Sequence, residues 1–126
     1  MALALALDAG ALVAFDRNER SVVVLLARAL GQGLPIVVPA GVVGQVWRDG
    51  RRQARLARLL GSDEVEVVPL DDSGAREAGQ LCGARGTADV IDASLVLLAR
   101  RRGARVVTGD PDDLMRLDPG VDLIRC

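Results

Sequence analysis

The chain has no histidine, no lysine and no tyrosine, and its 126 residues include one tryptophan and one phenylalanine. Without histidine there is neither an imidazole general base nor a His-ligated zinc site. Without lysine there is no Schiff base and no P-loop lysine for a nucleotide phosphate. Chemistry is left to Asp, Glu, Ser, Thr, Arg, Cys or a bound metal. Scarce aromatics remove base stacking as the main way to hold a nucleic acid. They also require a core of Val, Leu, Ile and Ala, which, with frequent Gly, suits a parallel α/β layer structure better than an aromatic-rich sandwich. The two cysteines, Cys82 and Cys126, are isolated, and no export signal is seen, so reduced thiols are expected. The segment Met1 to Leu7 is apolar but lacks a basic region and meets Asp8 too soon for a signal peptide or a membrane span. A cytoplasmic protein of one domain, residues 1–126, is expected.

Five short apolar runs read as strands: Ala2–Leu7, Ile36–Val38, Glu64–Val68, Arg105–Val107 and Val121–Ile124. Between them the sequence predicts a helix capped by Ser21 and running to Leu30, a second from Pro39 to Arg48 and a third over Gln53–Leu60. A fourth starts at Asp72 or Ser73 and reaches Leu81, and a fifth, capped by Thr87, covers Ala88–Arg102. A last turn follows Pro111. Strands alternating with helices predict βαβ units and a parallel sheet with right-handed crossovers, covered on both faces.

Net charge is −1, yet the seventeen acids are mostly Asp and fall at telling places. Asp8 directly follows the first strand and Asp110 the fourth, so both lie at the carboxyl edge, where open parallel sheets bind ligands. Asp89 and Asp92 open the helix leading back to the fourth strand, and their i, i+3 spacing puts both on one face. Each has a plainer reading: Asp8 a loop or cap residue, Asp89 and Asp92 partners of the helix dipole, Asp110 the start of a turn before Pro111. Their joint placement favours a cation site, because carboxylates about 4 Å apart repel by about 4 kcal/mol at an effective dielectric of 20. An oxygen-only set suits Mg²⁺ or Mn²⁺ rather than zinc or copper.

At these residues the chain resembles the PIN-domain family, and within it the VapC-type toxin nucleases. The matching pieces are Leu5-Ala6-Leu7-Asp8-Ala9-Gly10-Ala11-Leu12, then Val38-Pro39-Ala40 leading to Gln45-Val46-Trp47-Arg48. Thr87-Ala88-Asp89-Val90-Ile91-Asp92-Ala93-Ser94 and Val106-Val107-Thr108-Gly109-Asp110-Pro111-Asp112-Asp113-Leu114 follow in order. The resemblance implies a three-layer α/β/α fold with a five-stranded parallel sheet of order 3-2-1-4-5. It implies a Mg²⁺- or Mn²⁺-dependent ribonuclease acting on single-stranded RNA, dimeric and silenced by a cognate antitoxin. Asp8, Asp92 and Asp110 match the family's acidic positions, with Asp89 and Asp113 as supporting acids. Gln45 stands where the family usually has Glu; its amide oxygen can face a metal but brings no charge. A catalytically weak or inactive PIN-fold module that binds RNA or protein is therefore the alternative. A receiver-like phosphoryl-transfer domain is disfavoured by the missing lysine, and Gly31-Gln32-Gly33 follows a helix and is no dinucleotide loop.

Thr108 reads either as a hydroxyl that holds a ligand or phosphate or as a structural strand end. Arg48, Arg51, Arg52, Arg55 and Arg58, if helical, form a basic stripe for RNA phosphates, with a solvated helix face as the equal reading. Arg100, Arg101 and Arg102 read as charges at a helix C-terminus. Trp47 is expected in the core; a partly exposed Trp47 would instead mark a docking surface.

Overall fold

The computed structural model describes residues 2–126. Its strands are β1 (Ala4–Leu7), β2 (Ile36–Pro39), β3 (Val65–Val68), β4 (Ala104–Thr108) and β5 (Leu123–Arg125). The helices are α1 (Ala9–Asp16), α2 (Arg20–Gly31), α3 (Ala40–Val46), α4 (Ala54–Leu60), α5 (Asp72–Arg85), α6 (Val90–Arg102) and α7 (Pro111–Leu117). All four strand pairings are parallel, in the order β3-β2-β1-β4-β5. The chain thus starts at β1, winds outward to β3, and returns to lay β4 on the other side of β1. That reversal is the switch point, and it puts Leu7 beside Val107, one residue before Asp8 and three before Asp110.

Period-two alternation assigns each strand side chain to a layer. Leu5, Leu7, Ile36, Val38 and Val107 point to one face, under α1, α2, α3 and α4. Ala4, Ala6, Val37, Ala104 and Val106 point to the other, under α5, α6 and α7. The alanines of β1 on that second face leave room for α6, which packs against β1, β2 and β4 and is flanked by α5 and α7. Residues Ala93 to Ala99 of α6 are all buried; a helix enclosed on every side needs no polar stripe along its middle. Gly86 and Gly103 end α5 and α6 in the left-handed conformation, which a side chain would strain.

Several helix limits differ from the sequence expectations. No helix is predicted after the first strand, yet α1 follows it at once, with Asp8 as its N-cap. The run Ala2 to Phe15 is apolar almost throughout, so its period shows no change where strand gives way to helix. α2 begins at Arg20 rather than at a Ser21 cap. α6 is capped by Asp89 rather than Thr87, whose hydroxyl instead accepts from the Asp89 N–H at 3.4 Å.

α3 stops at Val46, so Arg48 lies in a turn rather than in a helix. Gln53 holds that turn: its side-chain oxygen accepts from the N–H of Arg48 (2.7 Å) and of Asp49 (3.0 Å), and its amide donates to Val46 (2.8 Å). The basic residues therefore form no continuous helical stripe. Arg55 bonds Asn18 at 2.9 Å, while Arg51 and Arg52 reach outward beside Asp49. Trp47 is 39% exposed and not the core residue expected, because the chain leaves the helix at its own position. Cys82 and Cys126 are both free thiols, and among the described residues no helix is long and apolar enough to cross a membrane.

Candidate metal centre

Asp8 is 7% exposed and its carboxylate is held at both oxygens. Oδ1 accepts from the Ala11 N–H at 2.8 Å, capping α1. Oδ2 accepts from the Thr108 hydroxyl and, at 3.2 Å, from the Gly109 N–H. These bonds span β1 and β4 and lock the rotamer. A carboxylate offers about four acceptor sites, so capacity is left for one more partner. Thr108 is wholly buried, and its hydroxyl oxygen also accepts from the Asp110 N–H at 2.8 Å. One hydroxyl thereby ties Asp8 to the backbone of Asp110. Thr108 is the last residue of β4.

Asp92 approaches from α6. Its backbone N–H bonds Asp89 Oδ1 at 2.9 Å, the cap of that helix. Its own carboxyl is half-buried, and its pKa is pushed up to about 7. Burial is the main cause, followed by the charge of Asp89 and a hydrogen bond with it, then by Asp113 and Asp8. Asp113, on α7, is pushed upward as well, by a shared hydrogen bond with Asp110 and then by that group's charge. Both thiols feel the same negative field: burial raises Cys82, aided by Asp89 and Asp92, and burial raises Cys126, aided by Asp8 and Glu19. Asp8, Asp89, Asp92, Asp110 and Asp113 thus meet electrostatically at one rim, fed by β1, β4, α6 and α7.

Among the described residues no three of these acids are drawn tightly enough together to make a closed ligand cage. The donor set fits a hydrated divalent ion, which keeps several waters and takes only a few carboxylates directly. Gln45 is exposed on α3. It lies one turn beyond Gly41, where α3 meets Ile91, the residue before Asp92. A concavity of about 520 Å³, lined by Ala2, Leu5, Leu25, Leu34, Arg105 and Ile124 among others, lies at the opposite, amino edge of the sheet.

Sequence reasoning missed two neighbours of the site. Gly10 and Gly109 touch backbone to backbone between α1 and the loop after β4. Their small size beside Asp8 and Asp110 was the available signal. The arginines closing α6 are also more than terminal charges. Arg100 bonds Asp118 (3.0 Å), Arg101 approaches Glu77 (3.5 Å), and Arg102 makes two bonds of 2.8 Å to Glu66.

The PIN domain family model matches residues 5–118. Among solved structures, VapBC2 from Rickettsia felis, bound to a DNA fragment from its promoter, superposes with a TM-score of 0.70 at 17% identity, covering 97% of this chain and 98% of that one. VapC20 of Mycobacterium tuberculosis, described as a toxin that cleaves the Sarcin-Ricin loop, gives 0.64 at 17%, covering 85% and 92%. FitAcB from Neisseria gonorrhoeae gives 0.65 at 16%, covering 95% and 96%. No significant match was found among curated proteins. At these identities the superpositions speak for the fold, the family match covers most of the sequence, and the chain belongs to the PIN-domain family.

Proposed function

We infer that the protein is a Mg²⁺- or Mn²⁺-dependent endoribonuclease acting on single-stranded RNA, the toxin of a type II toxin–antitoxin pair. The observation that carries this reading is the joining of Asp8 and Asp110 through the Thr108 hydroxyl at the sheet's switch point, with repulsion among the acids raising Asp92 and Asp113 beside them. Repulsion of that kind is costly unless a cation relieves it. Asp8, Asp92 and Asp110 would hold the ion, with Asp89, Asp113 and the Gln45 amide in support. Bound there, a divalent ion supplies Lewis-acid polarisation of a phosphoryl oxygen and a lowered pKa for a coordinated water, which a chain without histidine needs.

The protein's own groups do the rest. The bonds from Ala11, Thr108 and Gly109 hold Asp8 without freedom to rotate. Asp110 follows through its N–H on Thr108. Without a cation Asp92 keeps a proton on its carboxyl up to about pH 7. The rim opens to solvent at Asp89 and Asp110, a shape suited to a polymer. Arg48, Arg51 and Arg52, the last two with side chains 96% and 89% exposed, would contact RNA phosphates. The exposed Trp47 in the same turn offers an anchor for an antitoxin or for a second copy in a homodimer.

Mn²⁺-dependent cleavage of single-stranded RNA tests the reading. Asp8→Asn and Asp92→Asn are expected to abolish cleavage while circular dichroism stays native. Full activity in both would overturn it. Gln45 favours one alternative, an inactive module that binds RNA or protein without cutting. RNA binding with no Mn²⁺ uptake and no cleavage would select it.

A further inference from the structure

We propose that the cleft between α2 and the β4–β5 side of the sheet is a docking groove for an extended acidic peptide of a protein partner, one that sets aliphatic side chains beside Asp or Glu. The groove lies apart from the acidic rim, and the inference does not depend on the metal reading.

Parallel strands covered on both faces are apolar as a rule, yet Arg105 stands in β4, between β1 and β5. Its register with Leu5 puts it on the face under α2, and the register of Ile124 with Val107 puts Ile124 there too. α2 leaves this strip of the sheet uncovered. The concavity of about 520 Å³ at the amino edge has Leu5, Leu25, Leu34 and Ile124 as apolar lining, with Arg28 and Arg105 among them. A second hollow, of about 250 Å³, shares Leu25, Arg28 and Ile124 and continues along α2 toward Ser21 and Arg125. The two make one groove, which suits a linear occupant better than a compact one. β5 pairs with β4 alone, so its outer edge offers backbone groups along which an extended peptide can add as a strand.

Charge names the occupant. Among the described residues no Asp or Glu lines either hollow, while Arg28, Arg105 and Arg125 do. Neither Arg28 nor Arg125 makes an ion pair among the described residues. Arg105 gives its Nε to Asp122 at 3.0 Å and an Nη2 bond to the Leu123 carbonyl at 3.4 Å. A guanidinium carries five N–H donors, so most of that fork is open to a carboxylate, which it can hold by two bonds at once. The aliphatic lining takes Leu or Val side chains between such carboxylates. No aromatic ring lines the groove among the described residues, so nothing there stacks on a nucleotide base, and a peptide fits better than RNA.

The test is fluorescence anisotropy of the native chain with labelled octapeptides that alternate Asp or Glu with Leu or Val. A matched panel carries Asn and Gln in place of the acids, and a labelled oligouridylate is titrated in EDTA. The acidic panel is expected to bind, the neutral panel at least tenfold more weakly. Arg28→Glu and Arg105→Gln each weaken the acidic peptides at least tenfold, whereas Arg102→Ala, on the far side of the sheet, leaves them unchanged. If Arg105→Gln does not fold by circular dichroism, Arg28→Glu, exposed on α2, decides alone. No binding by any acidic peptide, equal binding of both panels, or native affinity in Arg28→Glu overturns the proposal. Oligouridylate binding that is lost in Arg28→Glu, with no peptide bound, assigns the groove to RNA and overturns it as well.

Discussion

Asp92 is the side chain whose chemistry owes most to its neighbours. Unfolded, it releases its proton near 3.8; folded, near 7. Between those values the native state binds the extra proton, so stability is greatest below about pH 4 for this group and falls as pH rises through the window. Asp113 shifts in the same direction. The metal-free protein is therefore expected to melt at a higher temperature at pH 5 than at pH 8, and Asp92→Asn should flatten that slope. A native melting profile level across this range would show that the acids do not crowd. Thr108 offers a second check. Thr108→Val keeps the shape but removes the donor to Asp8 Oδ2 and the acceptor for Asp110 N–H. Asp8 Oδ2 keeps only the Gly109 N–H, and the Asp110 N–H loses its partner, a loss of about 1–3 kcal/mol where water is shut out. Urea unfolding should show the loss, and Mn²⁺ affinity should fall with it.

Helix caps divide into Asp71, which only holds a helix, and Asp8 and Asp89, which also crowd the rim. Asp71 caps α5 through Gly74 N–H at 2.7 Å, away from the acids. Asp71→Ala is expected to cost about 1 kcal/mol and leave cation affinity unchanged. Asp89 caps α6 but also raises Asp92. Asp89→Asn keeps a capping oxygen and removes a charge, so the metal-free protein should gain stability while Mn²⁺ affinity drops. Opposite movements of melting temperature and affinity are the signature; a parallel change would mean Asp89 serves the helix alone. The element that sequence reading lost was α1. Asp8 ends a strand and caps a helix within an apolar run, and periodicity has no contrast to report there. The cap reading of Asp8 holds, and the same carboxylate stands at the strand end among the acids.

Across the molecule, the arginines differ in whether their ion pairs join separate elements or stay within one exposed turn, as those of Arg51 and Arg52 with Asp49 do. Arg100, Arg101 and Arg102 join α6 to Asp118, to α5 and to β3. Arg48, Arg51 and Arg52 are exposed in the turn that follows α3. Their joint replacement by Ala is expected to weaken RNA binding and to reduce its salt dependence, whereas Arg102→Ala should lower stability and spare RNA affinity. Cation binding should also register globally. A ligand at one hundred times its Kd adds about 2.7 kcal/mol. Because the ion prefers ionised carboxylates, the melting temperature should rise more on adding Mg²⁺ at pH 8 than at pH 5. Stripping the ion with a chelator should reverse the gain.

The order of the strands and of the helices other than α1, the apolar layers and the acids at strand ends were legible in the amino-acid pattern, because burial and hydrogen bonding act along short stretches and leave a period behind. Resemblance to a family then supplied the neighbour relation of the first and fourth strands, which no local period encodes. Folding settled matters that depend on contacts distant in the chain. Trp47 lies partly outside the core because a turn held by Gln53 ends α3 before it. Arg55 is drawn to Asn18 and out of any stripe. Thr108 faces Asp8 across a hundred residues of intervening chain, and Gly10 meets Gly109 at backbone distance. Such relations arise only when strands far apart in sequence lie side by side, and there the charges and hydroxyls acquire their roles.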